Sequence, residues 1–295
     1  MLNLKTIKSS DIKIKPRAKD SSKADYGRAR IMGGSARMPG APVMSAAAAL
    51  RAGAGLVTLG VPQSMAAAYQ ARALETMLYF FRDEGGFVLF DEAQAAEFCE
   101  KADVLALGMG MGQNFAEIRK FISYYLSREI TLIIDADGIN ALQGYADLLL
   151  NKNRKATVIL TPHIVEFSRL IDTGGRGSCN NSPDLQYIKD NKLELATAFA
   201  ARHNAVLLLK GAETLITDGK AAFLNTVGTP ALAKGGSGDV LTGIIAGLAA
   251  TYPPLTAATY GAYFLGKAAL AAEKVYGENS VLASDVISNI KIIGG

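Results

Sequence analysis

Short apolar runs alternate along the chain with stretches of helical spacing, and this rhythm limits the fold more than any other feature. The runs at 29–32, 56–61, 104–107, 131–135, 157–160, 205–209 and 214–217 are apolar almost throughout. A strand with one wet face alternates apolar and polar residues, whereas a continuous apolar run is covered on both sides. Between the runs, 41–52, 93–101, 116–126, 166–171 and 193–202 carry helical patterns. Such a βαβα succession predicts an α/β fold with a central, mostly parallel sheet and helices on both faces. Ligands of these folds bind beyond the carboxyl ends of the strands. No internal repeat or long linker appears, so residues 1–295 are read as a single domain. The stretch 172–184, "DTGGRGSCNNSPD", reads as a flexible loop.

The chain's bulk properties narrow the class further. Apolar residues make up 49% and charged residues 20%, the balance of an ordinary globular protein. The formal net charge of +4 is unevenly placed: residues 1–30 carry nine Lys and Arg against three Asp and Glu, which leaves the rest near neutral. Without interleaved aromatic residues this basic segment reads as a solvated lead-in strand, not a nucleic-acid arm. No apolar run reaches about 18 residues, and Pro253-Pro254 divides the most hydrophobic region, so no membrane span is expected. The first thirty residues lack the apolar core of a secretory signal. Cys99 and Cys179 have no metal-ligand spacing and read as free thiols of a reducing, cytoplasmic compartment.

Polar residues gather where the strands are expected to end. "LALGMGMG" closes on Gly108, Gly110 and Gly112; "LIIDADGIN" on Asp135, with Asp137 and Asn140 behind it. "VILTPHIVEF" closes on Thr161-Pro162-His163, with Glu166 one turn on, and "VLLLKGAETLITD" on Lys210-Gly211. The densest cluster is "ALAKGGSGDVLTGIIAGLAA", residues 231–250, in which three glycines, Ser237 and Asp239 precede a long apolar helix. Glycines open backbone conformations closed to other residues and let a ligand approach the main chain. The first turn of a helix has unpartnered N–H groups and about half a positive charge, so this turn is a ready anion site. Ser237 or Asp239 as a simple helix cap is the structural alternative. For Asp135 a cap at a strand end is likewise open, and for His163 a buried, purely structural hydrogen bond.

In this order the segments resemble a known family. "KGGSGDVLTGIIAGLAA" is similar to the G-[TS]-G-D signature of the ribokinase-like superfamily, and within it the chain is identified as a member of the ADP/ATP-dependent NAD(P)H-hydrate dehydratases. "SSKADYGRARIMGGS" resembles that family's "HKGDYGR…GGS" opening, with Ser22 in place of His. "PGAPVMSAAAALRAGAGLVTLGVP", "LGMGMG", "DADGIN", "LTPHIVEFSRL", "LLLKGAETLITD" and "LASDV" follow in the family's order. The departures are Met38 where Tyr is common, Ile164-Val165 in place of Pro-Gly, and the glycine-serine insertion after Asp172. An epimerase domain, fused to this one in some relatives, is not expected within these 295 residues.

The resemblance implies a repair reaction. The S form of hydrated NADH or NADPH (NADHX, NADPHX) loses its ring hydroxyl after phosphorylation by ADP or ATP, with Mg²⁺ as cofactor, and NAD(P)H is restored. It implies Asp239 as the base that takes the hydroxyl proton, and backbone amides of Gly236, Ser237 and Gly238 as the anion hole. Lys210, Gly211, Ala212, Glu213 and Thr214, together with Gly238, would bind the nucleotide. Ala41, Gly110, His163 and Asp239 would contact the hydrated dinucleotide, with Gly112 beside them. Glu166 stands where related enzymes organise Mg²⁺ through water. A homotetramer is also implied. Two rival readings remain: a small-molecule kinase of the hydroxymethylpyrimidine or hydroxyethylthiazole type, and a catalytically silent nucleotide-binding module.

Overall fold

A computed structural model describes residues 3–171 and 184–294. Twelve strands occur among them: β1 (Leu4–Thr6), β2 (Arg28–Met32), β3 (Leu56–Pro62), β4 (Met77–Phe81), β5 (Asp83–Glu84), β6 (Phe87–Val88), β7 (Val104–Leu107), β8 (Thr131–Ile134), β9 (Thr157–Leu160), β10 (Ala205–Leu209), β11 (Thr214–Thr217) and β12 (Ala222–Asn225). Ten of these form one sheet in the order β1-β12-β11-β10-β9-β8-β7-β2-β3-β4, and β5 and β6 form a small separate ribbon. Every neighbouring pair in the large sheet is parallel except the two on either side of β11.

The apolar runs are buried on both faces, as their composition requires. Side chains of a strand alternate between faces, and the core divides accordingly. Val104, Ala106, Ile133, Ile159, Val206 and Leu208 pack into one layer with the helices Gly40–Arg51, Ser237–Ala249 and Pro254–Tyr276. Leu105, Leu107, Leu132, Ile134, Val158, Leu160, Leu207 and Leu209 pack into the other, against Glu92–Cys99, Phe115–Leu126 and Lys192–His203.

The direction of winding reverses at β2. The chain runs from β2 outward through β3 to β4, then returns to place β7 on the other side of β2 and continues to β10. The loops after β2 and β7 therefore flank a crevice at the carboxyl ends of the strands, the position where open α/β sheets bind ligands.

Two helices meet unusually closely in the first layer. Gly243 and Gly247, one turn apart in Ser237–Ala249, face the backbone of Gly40–Arg51: a Cβ on Gly243 would collide with the Ser45 carbonyl, and one on Gly247 would lie 2.5 Å from the Ala49 carbonyl. The small-residue character of both segments thus reflects backbone-to-backbone approach. Gly243→Ala should destabilise the protein by about 1–3 kcal/mol through overpacking, read as a lower urea midpoint with an unchanged slope.

A second stability prediction concerns His203, which is 4% exposed. Its Nδ1 lies 2.9 Å from the Phe199 carbonyl and its Nε2 has no hydrogen-bond partner among the described residues. Burial holds the imidazole below the usual histidine range, although the Phe199 carbonyl works the other way. The unfolded chain then takes a proton that the folded protein resists, so stability should fall as pH drops below about 6.5. His203→Gln should flatten that loss, as measured by thermal denaturation across this interval.

The sequence expectations differ from this fold in identifiable places. The N-terminal segment is a strand at Leu4–Thr6, where it pairs with β12, and again from Arg28, where β2 begins; it is not simply solvated, since Ile7 and Ile12 are buried in the first core layer. β4, β5, β6 and β12 are not among the strands that the apolar runs predict. β4 is a sheet edge that exposes Met77, and β12 follows the Asp218-Gly219 turn, where Gly219 has φ +85. Pro253-Pro254 does not merely divide an apolar region; it starts the 23-residue helix Pro254–Tyr276. No helix among the described residues is long and apolar enough to cross a membrane. Most of the 172–184 stretch, with Cys179, lies outside the described residues.

Candidate active site

The polar strand ends meet along one rim of the sheet. Asp135 follows β8 and is almost completely buried, with 1% exposure. Its Oδ1 accepts hydrogen bonds from the Thr161 hydroxyl (2.8 Å) and Lys210 Nζ (2.9 Å), and its Oδ2 from the Thr242 hydroxyl (2.9 Å). It caps no helix; the short helix Asp137–Ala141 begins after Ala136, without a side-chain cap. Ala136 has φ +47, a left-handed backbone that residues other than glycine seldom adopt. Gly108 at the end of β7 is required beside it, because a side chain there would run into the Asp135 carbonyl.

Lys210 follows β10, and a single bridge joins it to His163 after β9. Its ammonium also lies 3.8 Å from Glu166 Oε2. Burial works against the charge, but the Asp135 and Glu166 carboxylates outweigh it and hold the lysine above its usual range. Glu166 is raised by burial, with Lys210 and the His163 N–H opposing. His163 is the N-cap of the helix Ile164–Leu170: its Nδ1 accepts from the Val165 and Glu166 amides, and its own N–H donates to Glu166 Oε2 at 2.8 Å. The purely structural reading of His163 is therefore half right. One ring nitrogen is spent on capping, while Nε2 lies 3.5 Å from Glu166 Oε1 on a half-exposed ring. Burial, then Lys210 and Arg169, depress its protonation.

The glycine turn faces this cluster. The helix Ser237–Ala249 has Gly236 as its N-cap, with φ +96 and no side-chain cap, so neither Ser237 nor Asp239 serves as one. Of the glycines at 235, 236 and 238, only Gly236 requires the left-handed region. A Cβ on Gly238 would lie 3.5 Å from Lys210 Nζ and 3.8 Å from Asp135 Oδ2, which places the ion pair beneath the first helical turn. The Ser237 amide leans toward the Lys234 carbonyl at 3.4 Å. The Gly238 and Asp239 amides have no acceptor among the described residues. Burial pushes the Asp239 carboxyl up to about 7, Asp135 and Asp137 add to this, and Lys210 opposes it.

On the other side of Asp239 lies the crevice between β2 and β7. The Ser45 hydroxyl donates to the Asp239 carbonyl (2.8 Å) and lies 3.3 Å from the Ala41 carbonyl, so the start of Gly40–Arg51 is held beside Asp239. Gly110, with φ +67, packs so closely that a Cβ would come within 3.1 Å of the Ala41 Cβ. The Gly112 amide donates to Asp137 Oδ2 at 2.7 Å, and burial raises that carboxyl.

A cleft of about 930 Å³ opens from the glycine turn. Asp135, His163, Lys210, Gly211, Ala212, Thr214 and residues 233–239 line its polar end. Val227, Pro230, Leu232, Leu241, Ala262 and Leu265 line its apolar part, together with Asn225. The structure thus brings together Lys210, Gly211, Ala212, Thr214, His163, Gly236, Ser237, Gly238 and Asp239. Glu213 does not line this cleft and faces Lys192 at 3.6 Å, and Ala41 and Gly110 sit in the neighbouring crevice. The sequence reading did not single out Thr242, Asn225 or the apolar wall. For Thr242 a signal existed, since three residues after Asp239 places it on the same helical face.

A family model described as NAD(P)H-hydrate dehydratase matches residues 29–292. The chain belongs to the NAD(P)H-hydrate dehydratase family. It is 36% identical over 268 residues to the bifunctional NAD(P)H-hydrate repair enzyme of Moorella thermoacetica, covering 89% of this chain and 48% of that one. The corresponding enzyme of Pyrobaculum aerophilum is 34% identical, covering 93% of this chain and 52% of its own length. The chain spans about half the length of these curated relatives. Among solved structures, it is similar to the ADP/ATP-dependent NAD(P)H-hydrate dehydratase of Bacillus subtilis, co-crystallised with ATP and Mg²⁺. The TM-score is 0.82 at 26% identity, over 98% of this chain and 97% of that one. A ribokinase-like superfamily protein of Enterococcus faecalis matches with TM-score 0.77 at 26% identity, over 97% and 94% of the two chains. The hydroxyethylthiazole kinase of Pyrococcus horikoshii, at 16% identity and TM-score 0.60 over 91% and 88%, shares the fold. For this dehydratase family member, the α/β fold expected from the strand rhythm and the ribokinase-like character implied by the motif resemblance both hold, and the family match favours the dehydratase reading over the kinase rival.

Proposed function

We propose that the chain restores NADH and NADPH from the S form of their hydrates, with ADP or ATP as phosphoryl donor. Asp239 carries this reading. Its carboxyl has no hydrogen bond among the described residues, stands between the cleft and the Ala41–Gly110 crevice, and is raised to about 7. A base poised near the working pH suits removal of a proton from a substrate hydroxyl, and a silent binding module has no use for one.

The geometry supports the following roles. The apolar part of the cleft, from Val227 to Leu265, takes the flat adenine base, and the polar end takes the phosphates. The hydrated ring lies in the crevice at Ala41 and Gly110, with His163 at its edge. Asp239 accepts the proton of the ring hydroxyl as that oxygen bonds to the terminal phosphorus and the bond to the rest of the nucleotide breaks. The Gly238 amide and its neighbours at 236 and 237, aimed by the helix, stabilise the charge on the phosphoryl oxygens. Phosphate then leaves from this ester with the C–O electron pair while water takes the proton from the adjacent ring carbon, whose C–H electrons form the ring double bond, so that the net change is the loss of water.

No group of three or more potential protein ligands for a metal occurs among the described residues, and the Lys210 ammonium already lies between Asp135 and Glu166. A cation held directly by the protein does not fit here. A Mg²⁺ ion carried by nucleotide phosphates, with Glu166 reaching it through water, does fit, and when bound it would offset phosphate charge. A homotetramer in the cytoplasm is the assembly that the family resemblance suggests, and sedimentation and fractionation would test it.

The decisive experiment is incubation with hydrated NADH or NADPH, Mg²⁺ and either nucleotide. Recovery of dihydronicotinamide absorbance with release of phosphate is expected. Accumulation of a phosphorylated vitamin precursor without such recovery would return the reading to a kinase.

A further inference from the structure

Asp135 has no assigned role, yet it is the most completely satisfied polar group in the site. A carboxyl group at 1% exposure needs hydrogen bonds and is helped by a charge partner, and here three donors divide between its two oxygens. The donors come from three different elements. Thr161 follows β9, Lys210 follows β10, and Thr242 lies in the helix that begins at the glycine turn. Buried ion pairs contribute little net stability, and this one opens onto the cleft through both partners.

We propose that Asp135 is a positioning residue that seats the Lys210 ammonium beneath the glycine turn, with Thr161 and Thr242 fixing the orientation of its carboxylate. Thr242 is the decisive contact because it lies on the same helix as Asp239. One hydroxyl therefore sets the distance between the helix mouth and the lysine, and a phosphoryl group arriving at Gly238 meets a cation already in place. Preorganisation of this kind acts on the reacting state more than on ground-state binding. The turnover part of this inference rests on the dehydratase reading; the seating of the ammonium does not.

The test uses the whole chain and three substitutions. Thr242→Val keeps the shape and removes the hydroxyl, Thr242→Ser restores a hydroxyl, and Asp135→Asn removes the charge. An immobilised lysine ammonium exchanges slowly and gives a ¹H–¹⁵N signal, assigned here by its loss in Lys210→Met. That signal should persist in the wild type and Thr242→Ser and vanish in Thr242→Val and Asp135→Asn. In turnover, Thr242→Val should lower kcat by about tenfold or more, as misplacement near a reacting centre does, with ADP affinity within about twofold and Ser restoring the rate. A merely structural threonine would lower melting temperature without moving the ammonium signal or the rate per folded molecule. Wild-type signal and wild-type kcat in Thr242→Val would overturn the proposal. If the wild-type protein fails to dehydrate NAD(P)H hydrates, the dehydratase reading falls, while the ammonium spectra still decide the seating.

Discussion

Replacing Asp239 with Asn is expected to cut turnover by about 10²–10⁴-fold, the usual contribution of a general base, while the fold survives. The side chain makes no capping bond that Asn would have to replace. Its carboxyl also has a higher proton affinity folded, at about 7, than its ordinary value of 3.8. A group shifted upward in this way supports the fold while protonated, and that support is lost as pH rises from about 4 through 7. Asn cannot ionise, so the variant should melt at the same or a higher temperature above pH 7. Wild-type turnover should rise with pH to a midpoint near 7, and the residual activity of the variant should lack that limb. Nucleotide affinity should hold or tighten slightly, because a negative charge near the phosphates is gone. Melting temperature, nucleotide affinity and single-turnover rate measured on one preparation separate this outcome from a structural role, in which stability falls and the rate per folded molecule does not.

Gly238→Val is expected to lower turnover by at least about 10²-fold, comparable to loss of an oxyanion donor, with a much smaller effect on folding. Gly238 is outside the left-handed region, and a Cβ there meets only Lys210 Nζ at 3.5 Å and Asp135 Oδ2 at 3.8 Å, both ordinary contacts. The free protein therefore accepts the side chain. A phosphoryl group between the glycine amide and the lysine does not, because the added methyls occupy its oxygen positions. Gly236→Val serves as the contrasting case. With φ +96 and a Cβ 2.8 Å from the Ala283 Cβ, it should lose stability along with activity. A nucleotide-bound structure with its phosphates far from residues 235–239 would remove the anion-site assignment altogether.

Much of the site was legible because its residues occupy strand ends and a helix start, positions that periodicity alone locates. Asp239, Lys210, His163 and Gly110 each follow an apolar run or precede an apolar helix, and the parallel topology then brings them to one rim. Illegible were the contacts that join distant segments side by side. Asn225 and Ala262 meet at the cleft wall only because β12 packs against the helix Pro254–Tyr276, with the Asn225 amide donating to the Ala262 carbonyl at 3.2 Å. Glu213 lies in the same segment as Lys210 and Thr214, but it faces Lys192 and not the cleft, a direction that no sequence pattern indicates.

The sequence by itself determined the α/β class, the double burial of the central strands and the glycine-rich helix mouth. All three depend on local periodicity and on backbone chemistry within a few residues. It also drew attention to Asp239, since an acidic residue in the first turn of a buried helix is a local pattern. Only the tertiary structure decided what surrounds that carboxyl. The reversal at β2 set the crevice beside Ala41 and Gly110, and the meeting of three elements gave Asp135 its three donors. The close approach of Gly243 to the Ser45 carbonyl fixed one helix against another. Such relations join residues from separate elements: Asp135 lies 26 positions from Thr161, 75 from Lys210 and 107 from Thr242. They arise from packing geometry, in which two carbonyls or hydroxyls of identical sequence context become a ligand or a bystander according to which neighbour reaches them first.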